Sequence, residues 1–483
     1  MIRIATPVQR LRADERFGLE VLIDLTRLLP VDDPAADVVR LELDDTPGAG
    51  EDFRAFLAGR VPVATGEGEL RLPRWTLRHV TAVAGAEVEQ RSPERDRFDR
   101  VPAAANPLVE ARRERHPVVS QLACDLRAAA LRAAGRRAVR CLPPWPDGHR
   151  WAVALTHDLD VVAGWPAFAA LRVLELVGKG KLGLAARSVG AALGAVGRDP
   201  VWSGVQEVLA AEGKVPATWF VLSATPSWQT WRLGDVTYSV ESREARRILD
   251  AARAADHEIG LHGSYFTMLD AGRFRAEGER LASVAGVPPR GVRQHFLRMR
   301  PGGTQHAMLA AGFEYDATYG FADRNGFRLG VADVVPAWDA AHQTSGGLDE
   351  VPLVWMDRAL TKYGRVEDPE VWITDAVELA QAAQQVDGLW VGLWHPNQTA
   401  ALGYPSAPQA YVRLVRLLLE RRPFVATLEA AVEWRRARRV VRASRVAPDS
   451  RVELVADTPS RWPLALEDGQ GRAVETRPWP VRG

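Results

Sequence analysis

Between residues 150 and 437, apolar runs of strand length alternate with longer stretches whose apolar residues recur every three or four positions. The runs lie at 151–156, 217–222, 258–262, 291–295, 315–317, 348–354, 389–393 and 423–427, and the helical stretches at 242–255, 271–285, 304–311, 374–385 and 409–421. Such alternation predicts repeated βα units around a parallel sheet. Before residue 145 the pattern is less regular. Residues 19–29 and 37–43 fit strand or helix around a Pro/Asp turn, 70–72 and 80–88 look strand-like, and 117–135 carries Val118, Leu122, Leu126, Ala129 and Ala130 at helical spacing. The proline-rich stretch 141–148 reads as a linker. After 436, short apolar pieces at 440–443, 451–455 and 464–466 predict a small β appendage. The chain therefore divides into an N-terminal α/β domain (1–144), a βα-repeat domain (145–437) and the appendage (438–483).

One segment, 178–197, is unusual: small and apolar residues with a few cations. It reads as an inserted helix packed on the βα domain. The other reading is a helix touching lipid or a partner; Arg187 and the many glycines speak against stable insertion into a membrane.

Composition narrows the class. Hydrophobic residues make up 47% and charged residues 25%, ordinary for a globular chain. With 62 basic and 61 acidic side chains, nucleic-acid binding as the main role finds no support. Cys124 and Cys141 are too few for a disulfide framework and read as buried thiols. No stretch offers the ~20 apolar residues of a spanning helix, and the first residues hold no apolar signal core. A cytoplasmic enzyme is the expectation.

The chemistry concentrates where apolar runs end. Residues 151–155 (WAVAL) run into Thr156, His157, Asp158, Leu159 and Asp160. Burying unpaired carboxylates costs several kcal/mol, so a metal ion is the simplest compensation. Strand alternation puts Asp158 and Asp160 on one face and His157 on the other; one carboxylate would ligate a metal while the other handles a proton. His262, Arg293 with His295, and His395 follow later runs in the same way. In α/β barrels, reactive groups sit at the carboxyl ends of strands.

In that order, these motifs resemble the polysaccharide deacetylase family (the NodB-homology domain of carbohydrate esterase family 4). The quoted matches are THDLD at Thr156–Asp160, an ATWFVL strand, DHEIGLH ending at His262, Arg293 in GVRQH, and LWVGLWH ending at His395. The resemblance implies an α/β chain folded as an irregular (β/α) barrel of that type. It implies hydrolysis of an acyl group, N-acetyl above all, on a sugar or glycan precursor with a bound divalent metal, zinc first among candidates. By the same resemblance Asp158 is the general base, Asp160 and His262 are metal ligands, Arg293 orients Asp158 and His395 protonates the leaving group. The family's second metal histidine falls on Phe266, which cannot ligate; His295 is the replacement candidate. His257 and His157 are expected to be structural and His306 ordinary. Asn397, Asp323, Arg328 and the tryptophans Trp228, Trp231, Trp338, Trp355 and Trp394 are candidates for substrate contact or for packing. Two other functions stay open: a metal-dependent amidase on a small non-sugar amide, and a degenerate glycan-binding or structural barrel, for which Phe266 speaks. The sequence leaves the oligomeric state unknown.

Overall fold

The computed structural model describes residues 1–45, 52–137, 139–447 and 451–479. The chain opens with a four-stranded sheet in the order β1 (Ile2–Ile4), β2 (Val39–Asp44), β4 (Glu69–Pro73) and β3 (Ala64–Gly66), with β3 alone antiparallel to its neighbour. Helices Ala13–Thr26, Trp75–Ala84 and Val118–Ala134 cover it. Two readings are thereby resolved or corrected. The stretch at 19–29 is mostly helix, begun by a box in which the Arg12 N–H donates to the Glu15 carboxylate (2.9 Å). The strand-like stretch at 80–88 instead continues the Trp75–Ala84 helix, because Leu77, Val80, Val83 and Ala84 bury one helical face. This core does not stop at the sheet: Leu41, Leu72, Val80 and Leu126 pack in one cluster with Tyr319, Val331 and Trp338 from the βα region.

The 141–148 stretch is tied down along its length. Cys141 bridges to Leu28 and Glu467, and the fully buried Trp145 donates its indole N–H to the Asp387 carbonyl (3.0 Å). Trp434 donates its indole N–H to the Pro144 carbonyl (2.8 Å) and Phe424 stacks on Trp145, so burial holds this stretch in place against its conformational freedom.

The main sheet has ten strands: β5 (Ala152–Leu159), β6 (Ala217–Leu222), β7 (Glu258–Gly263), β8 (Gly291–Gln294), β9 (Tyr315–Asp316), β10 (Val335–Asp339), β11 (Thr344–Glu350), β12 (Trp355–Met356), β13 (Leu389–Trp394) and β14 (Phe424–Val425). Their order is β10-β11-β9-β8-β7-β6-β5-β13-β12, with β14 added against β5. Every pairing is parallel except the β10–β11 hairpin, which the sequence reading missed because β10 lacks an uninterrupted apolar run. On the outer face, Val153, Leu155, Trp219, Val221, Leu261 and Val292 pack against helices. On the inner face, Ala152, Ala154, Phe220, Tyr315, Val391 and Leu393 form a single core. Strands β5, β6, β9 and β13 thus enclose one interior, and the mixed α/β chain curls into an irregular (β/α) barrel. Sheets buried on both faces read as near-continuous apolar runs, which is why these strands were legible.

The interior is crowded at two glycines. A Cβ at Gly291 would lie 1.9 Å from the Tyr315 ring, and one at Gly260 would lie 2.6 Å from the Phe220 ring. Tyr315 cannot swing away freely, since its hydroxyl is engaged by the half-buried Glu258 carboxyl. Gly291→Ala is expected to destabilise the fold by ~1–3 kcal/mol through overpacking, read as a lower urea midpoint at unchanged m-value. An unaltered midpoint would mean that Tyr315 moves without cost.

The tail forms two hairpins, β15 (Arg442–Val446) with β16 (Val452–Val455) and β17 (Leu464–Glu467) with β18 (Ala473–Arg477). Ala443, Val452, Leu464 and Leu466 are buried with Met1, Leu29 and Val441.

Candidate active site

Alternation along the strands decides which side chains enter the barrel. On β5 the inner series is Ala152, Ala154, Thr156 and Asp158, continued by Asp160 just past the strand end, while His157 turns outward. His262 ends the inner series of β7, Arg293 that of β8, and His295 and His395 follow β8 and β13 directly. All six candidate residues therefore meet at one mouth, at the carboxyl ends of the strands.

Three of them form a cluster suited to a cation: Asp160, His262 and His295, all buried. Asp160 Oδ1 stands 3.4 Å from His262 Nε2 and 3.5 Å from His295 Nε2. Ligand atoms about 2.1 Å from a tetrahedral ion are about 3.4 Å apart. Each ring is also oriented from behind. His262 Nδ1 faces the Arg293 carbonyl at 2.8 Å, and His295 Nδ1 faces Asp235 Oδ1 at 2.8 Å. Asp235 itself accepts from the Tyr265 N–H. With Nδ1–H committed, each Nε2 presents a lone pair inward, the arrangement of metal-binding histidines. Asp160 Oδ1 and His262 Nε2 are buried without a hydrogen-bond partner; a divalent cation would satisfy both. The donor set, two imidazoles and a carboxylate, fits zinc.

Asp158 sits beside this cluster. Its Oδ1 accepts from Arg293 Nη1 (3.0 Å), and its Oδ2 lies 3.6 Å from His262 Nε2. Arg293 is fully buried and held on several sides: Nε donates to the Ala317 carbonyl (3.0 Å), Nη1 also to Thr156 Oγ1 (2.8 Å), and Phe220 packs under its guanidinium. Burial alone would raise the Asp158 carboxyl, but the charges of His262, Arg293 and His395 outweigh it and hold the group below its ordinary value. Asp160 is held lower still: Arg358 and the neighbouring histidines overcome its desolvation. Both are carboxylates at neutral pH. His262 is shifted upward, since Asp158 and Asp160 more than offset its burial.

His395 closes the far side. Its Nδ1 faces Asp357 Oδ1 at 2.6 Å, its backbone N–H donates to Asp357 Oδ2 (2.7 Å), and its Nε2 lies 3.6 Å from Asp160 Oδ2. Arg358 Nη1 pairs with Asp160 Oδ2 at 2.8 Å. Phe296, Met356, Lys362 and Tyr363 complete the cleft wall.

Other expected residues fall elsewhere. Phe266 lies on a half-exposed loop and offers no ligand atom; His295 stands with Asp160 and His262 instead. His157 and His257 both turn to the buried Glu212, at 2.7 and 3.4 Å, on the outer side of the sheet. His306 stacks loosely on His342. Arg328 is buried in an ion pair with Glu89 (2.7 Å) and Asp323 faces Arg324, so neither serves the cleft. Trp338, Trp355 and Trp394 are core, whereas Trp228 and Trp231 form an exposed stacked pair. Asn397 lies 3.4 Å from Arg358. Sequence reasoning missed Asp235, Asp357 and Arg358. The last two follow the two-residue strand β12, and the rule of polar residues after an apolar run, applied to Leu353–Met356, would have found them.

No family model matches the chain, and no curated protein matches it. Among solved structures, it is 23% identical to a Mycobacterium smegmatis protein assigned as a polysaccharide deacetylase, over 63% of this chain and 96% of that one, with a TM-score of 0.41. It is 15% identical to Puue allantoinase, over 60% and 91%, with a TM-score of 0.37. It is 14% identical to the chitin deacetylase of the fungal pathogen Colletotrichum lindemuthianum, over 65% and 93%, with a TM-score of 0.29. In these comparisons the chain is similar to polysaccharide deacetylases at low sequence identity.

Proposed function

We propose that the protein is a metal-dependent hydrolase that removes an acyl group, N-acetyl above all, from a sugar or glycan precursor. The observation that carries this reading is the pairing of two differently wired carboxylates: Asp160 shared by two histidines, and Asp158 held by Arg293 at their edge. Asp160, His262 and His295 would hold the metal. A bound divalent ion supplies Lewis acidity, polarising an acyl carbonyl and lowering the pKa of water. Asp158 accepts the proton of the attacking water; its second oxygen is free of Arg293 and faces the cluster. Arg293 keeps that carboxylate ionised and in place. His395, with Nδ1 held by Asp357, carries a proton on Nε2 to the leaving nitrogen, which departs poorly as an anion. Arg358 would neutralise charge on the side of Asp160 facing the cleft.

The deciding experiment strips the protein with a chelator, refills it with zinc and follows acetate released from N-acetylated sugars beside amine or ammonia released from small amides. Zinc-dependent acetate release is expected. Zinc-dependent release from small amides alone would point to an amidase, and no release from either would leave a non-catalytic barrel.

A further inference from the structure

The segment before β6 folds as a helical hairpin, Trp165–Gly178 and Leu182–Gly194, with the wrong side out for a core element. The two helices bury only Ala169 and Leu176, and Ala185 and Ser188. Their aliphatic side chains face solvent: Leu171 is 60% exposed, Leu174 67%, Leu182 65%, Leu193 68% and, just beyond, Val196 72%. Val177 and Val189 extend the same face. A helix packed on a globular protein turns its apolar stripe inward, and contiguous exposed apolar patches of this kind mark interaction sites.

Charge says what covers the patch. Between Trp165 and Arg198 stand Arg172, Lys179, Lys181, Arg187 and Arg198 against a single acid, Glu175, in a chain that is otherwise balanced. Glu175 is engaged by Arg172 (2.7 Å) and Lys179, and Lys181 reaches Glu367. Arg187 and Arg198 are exposed and carry the remaining positive excess of the segment, with Asp199 the next acid along the chain. We propose that this hairpin docks on an anionic membrane surface, lying in the plane of the interface with its leucines and valines below the headgroups and its cations among them. Aliphatic face and flanking cations match that boundary. Self-association through the same face would instead bring two like-charged sets together. Neither helix approaches the ~20 residues of a span, and among the described residues no helix is long and apolar enough to cross a membrane.

The position links the surface to the cleft. Arg172, Lys179 and Lys181 line a hollow with Thr361 and Arg365, while the intervening Lys362 and Tyr363 line the candidate active site. The hairpin that would dock is thus separated from the cleft wall only by the 361–365 stretch.

The test is co-sedimentation of the full chain with vesicles of phosphatidylcholine alone and of equal parts phosphatidylcholine and phosphatidylglycerol. The wild-type protein is expected to sediment with the mixed vesicles and about tenfold less with the neutral ones or at high salt. Leu174→Glu/Leu193→Glu is expected to abolish binding, and Arg187→Gln/Arg198→Gln to reduce it towards the neutral-vesicle level. Both change exposed positions, so circular dichroism melts should match the wild type. The proposal is overturned if the wild type stays in the supernatant with mixed vesicles, or if the double glutamate variant sediments like the wild type. A dimer in light scattering that Leu174→Glu/Leu193→Glu dissolves would also overturn it, since a second copy would then cover the face.

Discussion

Asp158→Asn is expected to lower turnover of an acylated substrate by about 10²–10⁴-fold while the protein keeps its metal. Asparagine has the same shape and still offers an oxygen to Arg293, but it accepts no proton at neutral pH. The substitution also leaves the buried Arg293 without its anion, and breaking a buried ion pair by removing one partner costs ~3–5 kcal/mol. The bonds from Arg293 to Thr156 and to the Ala317 carbonyl survive, so the variant is expected to fold with a lower melting temperature. Rates are therefore to be measured well below that temperature, beside elemental analysis. Lost turnover with stoichiometric metal fits a proton acceptor. Undiminished turnover would remove Asp158 from the chemistry, and lost metal would make it a ligand.

The second large effect concerns the cluster itself. His262→Ala and His295→Ala are each expected to weaken zinc affinity by at least about a hundredfold, because removal of even the groups that orient metal ligands costs 10–100-fold. Competition against a chelator measures this directly, and the thermal stabilisation that zinc gives the wild type should shrink in parallel. Phe266→Ala is the matched control: it stands where the resemblance expects a ligand, yet it should leave affinity unchanged. The pattern separates the geometry seen here from the simpler motif. Were His295→Ala to bind zinc as the wild type does, the third ligand would lie elsewhere.

The legible part of the barrel was its parallel strands. Buried on both faces, β5, β6 and β13 carry apolar runs without interruption, and a polar group at the end of such a run stands out. β10 was not legible, and of β11 only the buried end at Leu348–Glu350 was, within the expected run 348–354, since the strand begins with the exposed polar stretch Thr344–Gly347 and is completed by its partner. The Trp75–Ala84 helix was misread for a related reason: a short apolar stretch fits either period until the neighbouring layer shows which face is buried. In the site, Asp158, Asp160, His262 and His395 were marked by strand ends. Asp235 was not, because it lies in a loop after the short helix Trp228–Leu233 and meets His295 only in three dimensions.

Sequence alone determined the βα alternation and the faces on which the two carboxylates and the histidines stand, because strand periodicity is a property of the local backbone. Tertiary structure decided which of those groups share a centre. His295 joins Asp160 across two intervening strands, β7 and β6, Arg358 arrives from the opposite flank of β5, and the hairpin at 165–194 keeps Leu171, Leu174, Leu182 and Leu193 outside. Those outcomes depend on how the sheet curls and on what its outer layer leaves uncovered, and distances between residues far apart in the chain are set by packing.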